Sequence, residues 1–119
     1  MNYAIKGTGV NITDELRGYV EKRLQSLDKF AHKDSRMEVE LGHEALHDGP
    51  QYRAEFMHIQ PGEDLSRAEA RGTTLHEAID LAAAELFRQM SGRKRKRLQV
   101  FRRTAVKVKE YLRGWRDKV

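Results

Sequence analysis

Residues 36–41, RMEVEL, alternate strictly between polar and apolar. In an extended segment this places Met37, Val39 and Leu41 on one face and Arg36, Glu38 and Glu40 on the other. The same period of two returns in QYRAEFMHI, where Tyr52, Ala54 and Phe56 share a side. It returns again in DLSRAEARG, with Leu65 and Ala68 or Ala70 turned inward. The turn sequences DGP and PGED separate the three runs, which therefore read as an antiparallel meander with one face in water. YAIKG, near the start, alternates well enough for a further short strand ended by Gly7 and Gly9. A sheet wet on one side needs a cover on the other.

Two stretches with helical periodicity can supply that cover. In NITDELRGYVEKRLQSLDKF, Thr13 can cap the first turn, and Asp14 and Glu15 put negative charge at the positive end of the helix dipole. Leu16, Val20, Leu24 and Leu27 form the buried stripe, with Tyr19 and Phe30 beside it. Lys22, Arg23 and Lys29 lie off the centre of that stripe and stay available for a partner. Gly18 interrupts the helix at a cost of about 1 kcal/mol relative to Ala, with nothing in the sequence to explain it. In TTLHEAIDLAAAELFRQM, Thr74 and Glu77 have the spacing of a capping box, and Leu75, Ile79, Ala82, Leu86 and Met90 recur as core positions. The expected fold class is α+β, in the order β-α-β-β-β-α.

The chain of 119 residues suits one domain with a modest core, and 39% hydrophobic with 34% charged residues implies a folded protein rather than a disordered one. It has no cysteine, which excludes disulfides and thiolate metal sites. No apolar run reaches the length of a membrane span, and the N-terminus lacks the order of a signal peptide, so a cytoplasmic protein is expected.

The net charge of +5 conceals an asymmetry. Residues 93–119 hold 12 Lys and Arg against two acids, Glu110 and Asp117, whereas residues 1–92 hold 11 basic and 16 acidic side chains. This divides the chain into a domain over 1–92 and a basic extension over 93–119. So basic a block implies an anionic partner, nucleic acid or a membrane surface, although a solvating tail is the plainer alternative. Within it Leu98, Phe101, Ala105, Val108, Leu112, Trp115 and Val119 recur three and four apart, an apolar seam on an expected third helix. The seam can pack on its own domain, on a partner, on a second copy in self-association, or less readily on a membrane.

GHEALHDGP contains HEALH, the spacing of zinc proteases, with His43 and His47 four apart and Glu44 between. That chemistry needs both histidines one helical turn apart. Here an alternating strand leads in and Asp48-Gly49-Pro50 follows, leaving no room for a helix. Residues four apart in an extended segment lie roughly 13 Å from each other, too far to share one ion. HEALH is therefore expected to be a strand end. His58 continues the Tyr52–Ala54–Phe56 face and is expected to be partly buried and hydrogen-bonded. No nucleophile elbow or phosphate loop is present, and no catalytic residue, metal site or cofactor is expected.

Together, GTGVNITDELRGYVEKRLQSLDKF, YRAEFMHIQPGEDLSRAEA, and HEAIDLAAAELFRQM followed by a basic cluster resemble the ribosome hibernation-promoting factor family. That family includes the ribosome-associated inhibitor and the sigma-54 modulation proteins. The resemblance covers residues 2–97 and lies in the order and spacing of soft motifs. It implies a four-stranded sheet with two helices packed on one face, similar to a double-stranded-RNA-binding fold. It also implies a protein that is not an enzyme and takes no small-molecule substrate. Such proteins bind the small ribosomal subunit and its 16S rRNA, occupying the channel for messenger and transfer RNA and promoting ribosome hibernation. The rRNA-facing basic residues implied are Lys22, Arg23 and Lys29 on the first helix, then Arg88, then Arg93, Lys94, Arg95, Lys96 and Arg97. For the first-helix residues simple solvation remains an equal alternative. The chain departs from the family at His76, where an aromatic residue is common, and at Gly18. The long form carries a separate C-terminal dimerisation domain, and this chain has the basic segment from Leu98 onward in its place, so the short form is expected.

Overall fold

The structure, a computed structural model, describes residues 1–44, 49 and 51–92. Its elements follow in the order β1 (Asn2–Thr8), α1 (Asp14–Asp28), β2 (Arg36–His43), β3 (Tyr52–Ile59) and β4 (Ser66–Gly72). A second helix, α2, covers residues 75–92. The strands make one sheet in the order β1-β2-β3-β4. The meander of β2, β3 and β4 is antiparallel, as its turns require, whereas β1 lies parallel to β2 with Asn2 opposite Arg36 and Thr8 opposite Gly42. A parallel neighbour cannot be reached by a hairpin, and α1 is the crossover between the two strands.

The alternation fixes which face is dry. Met37, Val39 and Leu41 from β2, Ala54 and Phe56 from β3 and Ala68 from β4 join one buried cluster with Leu16, Val20, Leu24 and Leu27 of α1 and Ala78, Ile79, Ala82, Leu86 and Met90 of α2. Both helices therefore cover the same face of the sheet. Phe56, Leu27, Met37, Leu41, Ile79 and Leu86 are fully buried and are the largest side chains removed from water. Each such side chain contributes about 1.5–3 kcal/mol relative to exposure.

Four details differ from the sequence reading. Leu65 is 51% exposed and precedes β4; the register His58–Ser66 and Phe56–Ala68 turns Ser66, Ala68 and Ala70 inward instead. Gly7 does not end β1, which continues to Thr8. The capping box at α2 is only half made. Thr74 Oγ1 accepts from the Glu77 N–H at 3.1 Å, but the Glu77 carboxylate accepts from the Thr73 hydroxyl at 3.2 Å, the preceding threonine having taken the reciprocal place. The cap at α1 is as expected, with Thr13 Oγ1 accepting from the Leu16 N–H at 3.2 Å. His58 is more deeply buried than expected, at 3% exposure.

Gly72 shows how tightly α2 is seated on the sheet. A Cβ there would lie 2.8 Å from the Ala78 backbone nitrogen and 3.0 Å from Glu77 Cβ. Glycine is what allows the end of β4 to pass under the first turn of α2.

The other sheet face is polar and internally neutralised. Arg53, whose side chain is only 18% exposed, lies 2.8 Å from Glu40 and 3.4 Å from Glu55, with Glu44 and Glu69 within 4 Å. Arg67 reaches Glu55 at 2.7 Å, Arg71 reaches Glu44 at 2.6 Å, and Arg36 reaches Glu38 at 3.3 Å. These are cross-strand and same-strand neighbours on one face, the positions where opposite charges stabilise a sheet.

Candidate nucleic-acid interface

The arginines of the open sheet face are paired with carboxylates, and Lys6 is exposed there without an ion pair among the described residues; the cations named from the sequence lie on the helices. The helical repeat that buries Leu16, Val20, Leu24 and Leu27 leaves Lys22, Arg23 and Lys29 exposed on α1, and Arg88 is exposed on α2. Arg23 and Arg88 line one groove of about 560 Å³ between the two helices. Arg93, Lys94, Arg95, Lys96 and Arg97 lie outside the described residues, as does the seam from Leu98 onward.

The four described cations are held differently. Lys22 has no ion-pair partner among the described residues. Arg23 donates to the Tyr19 hydroxyl at 3.2 Å and to Asp80 Oδ1 at 2.7 Å. Tyr19 in turn donates to the same carboxylate, at 2.7 and 2.8 Å to its two oxygens. The bond with Tyr19 and the charge of Asp80 hold the Arg23 guanidinium above its ordinary pKa, against the effect of burial. His76 packs edge-on against the Tyr19 ring, with centroids 4.4 Å apart, and its Nε2 lies 3.7 Å from Glu15. This places His76 in the packing between α1 and α2.

Lys29, the residue that caps the end of α1, extends its ammonium over two aromatic rings, 5.1 Å from the centre of Phe30 and 5.2 Å from that of Phe87. The two rings meet edge to face at 5.0 Å. Arg88 is turned along its own helix, where its Nε lies 3.0 Å from Glu85 Oε2. That hydrogen bond and, after it, one from Gln89 hold the Glu85 carboxyl below the usual carboxylate range.

Sequence reasoning did not find the partners of these cations. Asp80 reads as a solvated helix position, and Phe87 sits one place off the core stripe. An apolar ring beside rather than on the stripe was the available signal. Phe87 is 36% exposed and Leu81 50%, so α2 keeps apolar surface at the helix face.

HEALH is not on a helix at its start. His43 is the last residue of β2 and stands opposite Tyr52 in the ladder. The Glu44 N–H donates to the Gln51 carbonyl at 2.7 Å and its carboxylate pairs with Arg71. This is the strand end expected from the alternation; Ala45, Leu46 and His47 lie outside the described residues. Among the described residues no group of three or more His, Asp or Glu could hold a metal ion, and no helix is long and apolar enough to cross a membrane.

Residues 3–98 match the sequence model of the sigma 54 modulation protein / S30EA ribosomal protein family. The chain belongs to that family. Among S30EA relatives, a ribosome hibernation promoting factor of Azotobacter vinelandii is 29% identical over 99 residues, which is 83% of this chain and 88% of the relative. A ribosome hibernation promotion factor of Bacillus subtilis is 29% identical over 103 residues, 86% of this chain but 53% of the relative, so the chain spans about half that protein's length. Among solved structures, the N-terminal domain of Thermus thermophilus Protein Y is 36% identical with a TM-score of 0.64, over 76% of this chain and 96% of that one. A ribosomal subunit interface protein from Coxiella burnetii, 22% identical over 79% of this chain and 98% of that one, shares the fold with a TM-score of 0.65. The four-stranded sheet with two helices on one face is thus the S30EA architecture expected from the resemblance.

Proposed function

We propose that this chain binds the small ribosomal subunit through its helical face, occupies the messenger and transfer RNA channel, and so inhibits translation and promotes ribosome hibernation. The observation that carries the reading is the division of charge between the two faces. The arginines of the sheet face share a lattice of carboxylates, while the helices expose Lys22 and Lys29, which have no ion pair among the described residues, beside Arg23 and Arg88, each held by a single carboxylate. Family membership, and relatives named for ribosome hibernation, support taking the polyanion as 16S rRNA.

Folded rRNA is recognised largely through shape and phosphate, which suits cations on two neighbouring helices of a rigid scaffold. In this reading residues 1–92 form the ribosome-binding domain, and the extension over 93–119 contributes Arg93, Lys94, Arg95, Lys96 and Arg97 as further rRNA contacts. The role is one of occupancy and requires no catalytic group.

Sedimentation of the purified chain with ribosomes and separated subunits through sucrose tests it. Co-migration with the small subunit at moderate salt is expected, weakening steeply as salt rises because each phosphate neutralised releases counterions. Equal affinity for arbitrary duplex RNA and for subunits would replace the reading with a general RNA-binding module.

A further inference from the structure

A surface that only meets phosphates needs cations and nothing flat or apolar between them. The groove between α1 and α2 has both. Its floor is made by the short side chains of Ala83 and Ala84, and Phe87 stands at its wall with 36% of its surface exposed. The ring is fixed rather than loose, because Phe30 meets it edge to face at 5.0 Å and 78°. Cations surround it: Lys29 above the two rings, Arg23 across the groove and Arg88 next in the chain. Asp80, the one acid among the described residues lining the groove, is paired with Arg23 and bonded by Tyr19, which offsets its repulsion of an anion entering there. An aromatic wall, an apolar floor and a cationic rim are the parts of a base-stacking site. Paired RNA presents phosphates, riboses and base edges but no free base face, and only an unstacked nucleotide can lie flat on a ring.

We propose that this groove receives one unpaired nucleobase, stacked on Phe87, while Lys29, Arg23 and Arg88 meet the phosphates on either side of it. The site rests on the reading of the helical face as the RNA-binding face and names the element of RNA that it takes.

The test uses the full chain with two short fluorescent probes, an oligo(A) and the same backbone with abasic sites in place of its bases. The two carry equal phosphate charge, so anisotropy titrations at low salt isolate stacking. The wild-type chain should prefer oligo(A) by about tenfold. Phe87→Tyr should keep that preference, and Phe87→Leu, which leaves an apolar side chain against Phe30, should erase it while far-ultraviolet dichroism stays unchanged. Equal wild-type affinity for both probes, or a preference that survives Phe87→Leu, overturns the proposal. Sedimentation with small subunits separates the two readings. Subunit binding without probe preference removes the stacking site alone, and probe preference without subunit binding removes the ribosome alone.

Discussion

Arg23 on α1 and Asp80 on α2 meet at 2.7 Å across the helix pair, with the Tyr19 hydroxyl bonded to both. Each side chain is 44% exposed, so the pair contributes little to stability, about 1 kcal/mol or less. Its effect is on where the guanidinium points. Replacing Asp80 removes a negative charge from the surface proposed to bind a polyanion, and Coulomb attraction alone would then tighten binding. If Asp80 holds Arg23 in place, Asp80→Asn instead weakens small-subunit binding several-fold with little change in melting temperature. Filter binding at fixed salt distinguishes the two signs, and tighter binding sinks the positioning role.

On the proposed RNA face Glu85 should act in the opposite sense, since its carboxylate is paired with Arg88 and would compete with phosphate for it. Glu85→Gln should raise affinity for small subunits and steepen the salt dependence. The pH dependence has a definite sign. The carboxyl is held below its ordinary range in the folded chain, chiefly by Arg88, so its contribution is present above the unfolded carboxylate pKa and is lost as pH falls through the lowered folded value. Wild type should therefore be more stable than Glu85→Gln at neutral pH, and acid titration of the two melting curves should bring them together.

Arg53 separates the two faces. It is the least exposed arginine of the sheet lattice, and its loss leaves Glu40 and Glu55 without their central partner. Arg53→Met should destabilise the domain by about 1–3 kcal/mol in urea denaturation. Ribosome binding at temperatures where the variant is folded should be unchanged, whereas Lys22→Glu should show the reverse pattern. Loss of binding in Arg53→Met at full folding would place the RNA on the sheet.

Gly18 offers the cleanest gain. A Cβ at this position in α1 meets nothing within 4 Å, so no close approach requires glycine. Gly18→Ala should stabilise the chain by about 0.5–1 kcal/mol, through helix propensity and a less flexible unfolded state. Denaturant midpoints measure it directly. A loss of subunit binding in this more stable variant would mean that the open space over Gly18 is filled by RNA.

The sheet was legible because the alternation 36–41 admits only one assignment of faces, and a one-residue error would have buried Glu38 and Glu40. The helix stripes were legible for the same reason, each apolar position recurring where a turn returns. Side-chain partnerships across elements were not. Asp80 lies 57 positions from Arg23 in sequence, and nothing local to either marks the other. Phe87 falls beside the stripe of Ile79, Ala82, Leu86 and Met90, and spacing alone did not show that its ring would meet Phe30 and Lys29 at the end of the other helix. Spacing marked Lys22, Arg23 and Lys29 only as exposed, and their proposed role, with that of Arg88, came from the resemblance, since surface charges carry no periodic constraint.

The parallel pairing of β1 with β2 has a consequence for the order of assembly. β2, β3 and β4 can find one another through short turns, and each hairpin closes at small entropic cost. β1 can join only after α1 has folded back over the growing sheet, because its partner lies on the far side of a whole helix. Its contacts are the longest in sequence among the strand pairs and the slowest to reward their closure. The first strand met along the chain is thus the last that topology lets the sheet complete. An opened β1 edge, detected by amide exchange along Asn2–Thr8, would be the earliest trace of the domain coming apart.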